Sequence, residues 1–396
     1  MRRIFTLLSA NAVSAFHFFL LAYITSPYLG QFLSDESIGL VFSASAALMI
    51  VGFLAAPRIL ARFSMRNTAI VLSLVDLVSL LLLAASPTPI VAIGLIALQS
   101  AIAPLISYAL DLFLENATDD SETGQVRGLF LTSANVVLIA SPLIVGIILD
   151  AGDAYPYIFL ASAAALAVFI VLLVTRKHSF IDGQIAQAGS LLMVLRCLIH
   201  EKEVRAVLAA NLLLQAFYIW AGIYIPLYLH STLGISWELL GPVFALMLLP
   251  FLLIELPMGF IEDRIRGARL IMATGFTLMG SSLMMLSFVT TDTALIAIAL
   301  ILVLTRVGAA LIEITAETSF FRTVDGKDIE SVGLFRMTRP LGILVGPLVG
   351  SFFLISMPLQ SIFIPLGIIC LFGIPFALRI KNGPSSGVHT RICSVR

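Results

Sequence analysis

Twelve apolar runs of about 20 residues each divide the chain, and they constrain its fold more than any other feature. A helix needs about 20 mostly apolar residues to cross about 30 Å of hydrocarbon. The sequence therefore predicts an all-α membrane protein with twelve spanning helices. The runs are Ile4–Leu29, Ile38–Ala56, Thr68–Ala85, Ile90–Leu114, Val126–Leu149, Tyr155–Thr175, Val207–Leu229, Leu239–Ile261, Leu270–Val289, Ala294–Thr318, Ser331–Ile355 and Leu359–Leu378.

The composition excludes several other classes of protein. Of the 396 residues, 60% are hydrophobic and 12% are charged, whereas a soluble domain carries about 25% charged residues. Lys plus Arg and Asp plus Glu balance at 23 each, so no basic surplus points to nucleic acid. Three scattered cysteines and dispersed histidines suit neither a disulfide framework nor a metal site. We expect membrane lipid around the chain, and no metal, cofactor or nucleic-acid partner.

The positive charges predict the orientation in the membrane, because cytoplasmic loops carry an excess of Lys and Arg. Arg2 and Arg3 precede the first run, and the other basic residues between runs fall on the same side. The opposite loops carry acids such as Asp35 and Asp150 and no Lys or Arg. We expect a multi-pass protein of the inner or plasma membrane with both termini in the cytoplasm. The basic positions include Arg58, Arg62, Arg66, Arg176, Lys177, Arg264, Arg266, Arg269, Arg322, Lys327, Arg379 and Lys381.

An internal repeat divides the chain into two pseudo-symmetric six-helix halves. Gly128-Leu129-Phe130 recurs as Gly333-Leu334-Phe335 at an offset of 205 residues, and Ala10-Asn11 recurs as Ala210-Asn211. Parallel repeats of this kind are one arrangement of secondary transporters, with the substrate held between them near the bilayer midplane. The predicted domains are an N-terminal half (1–175), a cytoplasmic linker with an amphipathic segment (176–206), a C-terminal half (207–380) and a flexible cytoplasmic tail (381–396).

One motif resembles the major facilitator superfamily. Its signature loop follows the second helix of each half and reads roughly Gly-x-x-x-Asp-Arg-x-Gly-Arg. Here Gly259, Asp263, Arg264 and Gly267 match, with Gly267 shifted by one residue. The copy in the first half is degraded and keeps only Arg62 and Arg66. The resemblance covers about residues 4–380 and implies the twelve-helix fold and transport of a small molecule by a monomer.

Charged residues inside the spans mark the candidate substrate and coupling site, because an ionisable side chain at the bilayer centre is costly and usually faces a cavity or a partner. Arg306, Glu313 and Glu317 share one face of the tenth span. Arg306 can bind an anionic group or hold Glu313 ionised until substrate arrives, or it can form only an internal ion pair. The other candidate cavity residues are His17, Asn135, Gln215 and Tyr218.

Further charges toward the cytoplasmic ends of the spans suggest a gate. We expect Asp111 and Glu115 to pair with Arg336 and Arg339, and Glu317 to pair with Arg127, closing the cytoplasmic side while the outer side is open. Arginine suits this role because its guanidinium holds a carboxylate through two hydrogen bonds. The alternative is a set of static pairs that only neutralise buried charge. Asp76 and Glu255 receive no role from the sequence.

These observations predict a secondary active transporter that moves a small organic solute by alternating access. No phosphate-binding loop is apparent, so a proton gradient is the expected energy source rather than ATP. A uniporter, a non-transporting sensor and a membrane-embedded enzyme remain the alternatives. The enzyme would need clustered catalytic residues, and the sequence has no such cluster, so we expect no enzymatic activity.

Overall fold

A computed structural model describes residues 2–115, 117, 123–149, 154–180, 202–265, 267–323 and 329–380, and the described elements are helices. The first half of the chain supplies seven of them. Their bounds are α1 Arg2–Leu21, α2 Thr25–Gly30, α3 Asp35–Arg62, α4 Met65–Ala84, α5 Pro89–Glu115, α6 Thr123–Leu149 and α7 Tyr155–Thr175.

The second half of the chain repeats this pattern of long helices and breaks. Its bounds are α8 Lys202–Pro226, a π-helix Leu227–Thr232, α9 Trp237–Ile265, α10 Ala268–Met285, a 3-10 turn Leu286–Phe288, α11 Leu295–Thr323, α12 Ile329–Leu354, a second 3-10 turn Leu359–Ile362, α13 Phe363–Leu371 and α14 Gly373–Ala377. Among the described residues, eleven helical segments are long and apolar enough to cross a membrane. Trp237–Leu253 is a shorter apolar helix, and it falls in the remaining predicted span. The predicted all-α fold is confirmed.

The first predicted span is broken, which the sequence analysis did not anticipate. A turn over residues 22–24 separates α1 from α2. Pro27 has no N–H to bond the carbonyl of Tyr23, and its ring crowds that carbonyl. The Thr25 hydroxyl donates instead to the carbonyl of Leu21 at 2.7 Å. The break therefore has a local cause.

The contacts divide the chain into two compact units. One contains Met1–Gln187 with Gly222–Ala245, and the other contains Ala188–Ala221 with Leu246–Arg396. In the first unit α1 packs against α5, α6 and α7, and α4 packs against α5 and α7. In the second unit α10 packs against α11, α13 and α14.

The first unit includes a segment from the second half of the sequence, and this segment packs very closely. The Ser26 hydroxyl donates to the carbonyl of Ile223 at 2.7 Å, and the rings of Tyr23 and Phe244 stack at 5.0 Å. A Cβ added to Gly241 would lie 2.6 Å from a carbonyl oxygen of α6 and 3.1 Å from the Cα of Gly146. Only glycine allows α6 and α9 to approach this closely.

Candidate functional site

The deepest predicted charge, Arg306, lies on α11 of the second unit beneath two aromatic rings. Its guanidinium carbon is 5.3 Å from the ring centre of Phe217 and 5.8 Å from that of Tyr218, both on α8. Arg306 is only 4% exposed, and its Nε has no hydrogen-bond partner among the described residues. Cation–π contacts of this kind stabilise a desolvated guanidinium. The cation is therefore held in place with one donor unused.

Glu313 lies on the same helix and bonds to the same aromatic residue. The hydroxyl of Tyr218 donates a hydrogen bond to the carboxylate Oε2 of Glu313. Arg306 and Arg339 both lie within electrostatic reach of this carboxylate. Tyr218 thus contacts a cation with its ring face and an anion with its hydroxyl. The structure brings together three residues that the sequence predicted for this site, namely Arg306, Glu313 and Tyr218.

Polar residues on α8 extend this cluster toward α12. The amide of Asn211 donates to the hydroxyl of Thr338 at 2.8 Å, and the amide of Gln215 reaches Asn211 Oδ1 at 3.5 Å. Gly342 and Gly346 let α12 lie directly against α8. The structure therefore explains these two glycines by helix packing. Gln215 on α8 lies beside Gly342, where α8 and α12 pack against each other.

The asparagine contact recurs in the first unit. There Asn11 on α1 donates to the carbonyl of Phe130 at 2.8 Å and to the hydroxyl of Ser133 at 3.0 Å, both on α6. Ser133 and Thr338 are 205 residues apart, which is the offset of the sequence repeat. We call each of these contacts an asparagine joint. The repeat thus extends to side-chain hydrogen bonds within each unit.

His17 lies in a different environment from the other candidates. It is 1% exposed on α1, and its Nε2 lies 3.0 Å from Oδ2 of Asp76 on α4. Its Nδ1 lies 2.7 Å from the hydroxyl of Ser162 on α7. Asp76 had no predicted role, and no signal in the sequence pointed to Ser162. Asn135 is half-buried on α6 in the same unit.

The predicted cytoplasmic gate stays a prediction. Asp111 is exposed on α5, and Glu317 and Arg339 are exposed on α11 and α12. The side chains of Glu115, Arg127, Arg336 and Glu255 lie outside the described residues, as do those of the signature positions Gly259, Asp263 and Arg264. The backbone of α9 is helical as far as Ile265, so the signature begins within the last turns of a helix rather than in a loop.

Phe217, Thr338 and Ser162 are the contributors to these clusters that the sequence analysis missed. A phenylalanine or a hydroxyl in an apolar run carries no distinctive signal, although the repeat offset between Ser133 and Thr338 was available. Within the described ranges, no group of three His, Cys, Asp or Glu residues lies close enough to hold a metal ion.

Solved structures of other transporters are similar to this chain over nearly its whole length. An auto-inhibited peptide transporter of the POT family matches with a TM-score of 0.74 and 13% identity, covering 98% of this chain and 100% of the other. The POT family transporter PepTSo matches with a TM-score of 0.73 and 13% identity, covering 96% and 97%. The nucleoside transporter NupG matches with a TM-score of 0.69 and 16% identity, covering 94% and 98%. These likenesses establish the fold.

Sequence comparison identifies the family. No curated protein sequence matches the chain. The sequence model of the Major Facilitator Superfamily matches residues 7–325 and again residues 226–391. Together with the signature residues and the twelve apolar runs, this match shows that the chain belongs to the Major Facilitator Superfamily of transporters.

Proposed function

We propose that this transporter moves a small organic solute by alternating access, as a monomer, and that a proton gradient drives it. The cluster of Arg306, Glu313 and Tyr218 is the observation that carries the proposal. It combines a buried cation, a carboxylate and aromatic rings on two adjacent helices. Side chains of both signs inside a membrane protein are costly and are kept for substrate and ion pathways.

The unused donor of Arg306 favours a particular kind of solute. Because its Nε has no hydrogen-bond partner in the part of the chain that the structure describes, a carbonyl, carboxylate or phosphate oxygen of the solute gains a charge-assisted hydrogen bond there. Asn211 and Gln215 supply further polar contacts on α8. We therefore favour a solute that carries an anionic or carbonyl oxygen beside an apolar or aromatic body.

The close packing of α2, α6, α8 and α9 near their ends supports the alternating-access part of the proposal. Ser26 bonds to Ile223, and Gly146 meets Gly241, near loops that carry no Lys or Arg. By the positive-inside rule these loops are outside the cell. We propose that this packing closes the outer side, and that it must open when solute exchanges with that side.

Proton flux in proteoliposomes tests the proposal. The protein is reconstituted with an internal pH dye and challenged in turn with peptides, nucleosides, sugars and organic acids. A solute-dependent change of internal pH, lost in Arg306→Ala and Glu313→Gln, is the expected result. A matched control is Thr277→Val, which alters an exposed hydroxyl on α10 that bonds only within its own helix.

The outcomes separate the alternatives. Uptake of labelled solute without proton movement would indicate a uniporter. No uptake of any solute by folded protein would overturn transport and leave a non-transporting sensor or a membrane-embedded enzyme as the remaining interpretations. Retained proton-coupled uptake in Arg306→Ala would place the site elsewhere.

A further inference from the structure

A buried polar network lies between α1, α4 and α7 of the first unit, and the proposed solute site does not include it. His17 is 1% exposed, and Asp76 and Ser162 are each 0% exposed. His17 Nε2 lies 3.0 Å from Asp76 Oδ2, and His17 Nδ1 lies 2.7 Å from the Ser162 hydroxyl oxygen. The same hydroxyl lies 3.1 Å from the carbonyl oxygen of His17.

The hydroxyl of Ser162 has one hydrogen and two acceptors within reach, so the network has two complete bonding patterns. In the first, Ser162 donates to the carbonyl of His17, and Nδ1 carries a hydrogen and donates to Ser162. Asp76 Oδ2 then carries a hydrogen and donates to Nε2, and the network is neutral overall. In the second, Ser162 donates to Nδ1, and Nε2 carries the hydrogen and donates to the Asp76 carboxylate. The network then has a charge of −1.

These two patterns differ by one proton and by the rotation of one hydroxyl. Every heavy-atom distance that either pattern needs is already present. A buried pair that served only to neutralise charge would need one pattern. The second acceptor of Ser162 therefore indicates a network suited to gain and lose a proton without moving a helix.

Two further buried oxygens belong to side chains of α4, one to Asp76 itself and one to a serine one turn away. Asp76 Oδ1 and the hydroxyl of Ser73, one turn earlier on α4, are buried and have no hydrogen-bond partner among the described residues. An ionised carboxylate buried with an unpaired oxygen is costly. When the network is deprotonated, the Asp76 carboxylate therefore keeps one buried oxygen without a hydrogen-bond donor among the described residues.

We propose that His17, Asp76 and Ser162 form a one-proton binding site in the first unit, and that the coupling proton of transport binds there. The coupling role rests on the proposed function, whereas proton binding itself does not. Since α1 packs against α5, α6 and α7, a change of charge at His17 acts on the helix that also carries the asparagine joint of this unit.

The charges around the site lie toward the helix ends. Arg66 is ten residues before Asp76, or about 15 Å along α4, and its Nε donates to the carbonyl of Leu173. Arg3 is fourteen residues before His17, or about 21 Å along α1, and its Nε donates to the carbonyl of Ser179. The other charged or titratable groups on the packed helices are Arg2, Asp35, Glu36, Arg58, Arg62, Tyr108, Asp111, Glu115, Arg127, Tyr155 and Tyr157.

Spectroscopy of the full-length protein tests proton binding without any solute. Nitrogen NMR of ¹⁵N-histidine-labelled protein is recorded across the pH range in which carboxylates and histidines titrate, and the His17 signal is assigned by its loss in His17→Asn. We expect the hydrogen to move from Nδ1 to Nε2 as pH rises. In infrared difference spectra, a carboxylic-acid C=O band should disappear over the same range, and this band should be absent in Asp76→Asn. One unchanging tautomer with an ionised Asp76 throughout would overturn the proposal.

Variants separate proton binding from coupling. Asp76→Asn should abolish uptake driven by a pH gradient while solute exchange at equal pH continues. Ser79→Ala, a buried serine on the same helix that bonds to its own backbone, should leave both processes unchanged. Accumulation of solute by Asp76→Asn would overturn the coupling role. If Asp76→Asn does not fold, Ser162→Ala tests the same site, because removal of the hydroxyl should abolish the tautomer exchange. If the spectra titrate and no solute is moved, the proposed transport fails and the proton site stands.

Discussion

Gly342→Ala tests how closely α8 and α12 must pack to form the candidate site. An added Cβ would lie 2.6 Å from the Cβ of Gln215 and 3.0 Å from the backbone nitrogen of Ala216, whereas ordinary contact begins at 3.4 Å. The helices must therefore separate by about 0.8 Å at this point. Overpacking of this kind costs about 1–3 kcal/mol.

The separation also stretches two hydrogen bonds that join these helices. The bond from Asn211 to Thr338 is 2.8 Å long, and the bond from the Trp220 indole to the carbonyl of Gly346 is 2.6 Å long. An added 0.8 Å takes the first beyond hydrogen-bonding distance and weakens the second, at about 1 kcal/mol for each bond lost. We expect a total destabilisation of about 2–4 kcal/mol, or a fall in Tm of roughly 2–5 °C for a chain of 396 residues.

Cys370 provides the assay for this variant. Its thiol is wholly buried in α13, and with Cys197 and Cys393 replaced by serine it is the only thiol in the chain. A thiol-reactive dye then reports unfolding during a thermal ramp. Gly222→Ala on α8 is the matched control, because its added Cβ meets nothing within 4 Å. Equal Tm values for the two variants would refute the packing argument.

The remaining predictions concern the candidate site and the close packing of α6 and α9 in the first unit. Tyr218→Phe loses the bond to Glu313 but keeps the ring, so we expect a several-fold lower initial rate of uptake; an unchanged rate would contradict a role for that bond. Arg306→Lys keeps the charge but loses the planar contact with the rings, which is about 1 kcal/mol, so KM should rise about fivefold, and an unchanged KM would argue against substrate contact. Gly241→Val should prevent close packing against α6, so a cysteine introduced at Ser26 should react faster with a membrane-impermeant maleimide; unchanged labelling would count against opening at this end.

The sequence was sufficient to predict the helices because length and apolarity are local properties. The span Tyr155–Thr175 coincides with α7. The repeat could also be read from the sequence. Its offset of 205 residues relates Ser133, the partner of Asn11, to Thr338, the partner of Asn211. Glu313 and Arg306 could be grouped because residues seven apart share a helix face.

Partner choice between helices could not be predicted in the same way. His17 and Asp76 lie at comparable depths on α1 and α4, but depth does not say which way a helix is turned. Pairing them requires the packing of α1 and α4 around α7, which depends on many apolar contacts. The break before Pro27 was also missed, because a membrane helix can tolerate proline without a break.

The asparagine joints show how the two halves of the chain have specialised. Each half of the chain has one asparagine joint, between α1 and α6 in the first half and between α8 and α12 in the second. The residue 200 positions after His17 is Phe217, so equivalent positions hold an imidazole buried against Asp76 in one copy and a ring over Arg306 in the other. A doubled ancestor would inherit each contact twice and could then keep the frame while each copy acquired its own chemistry. At equivalent positions the two halves therefore hold different chemistry, whereas the asparagine that joins the two helices is the same in both.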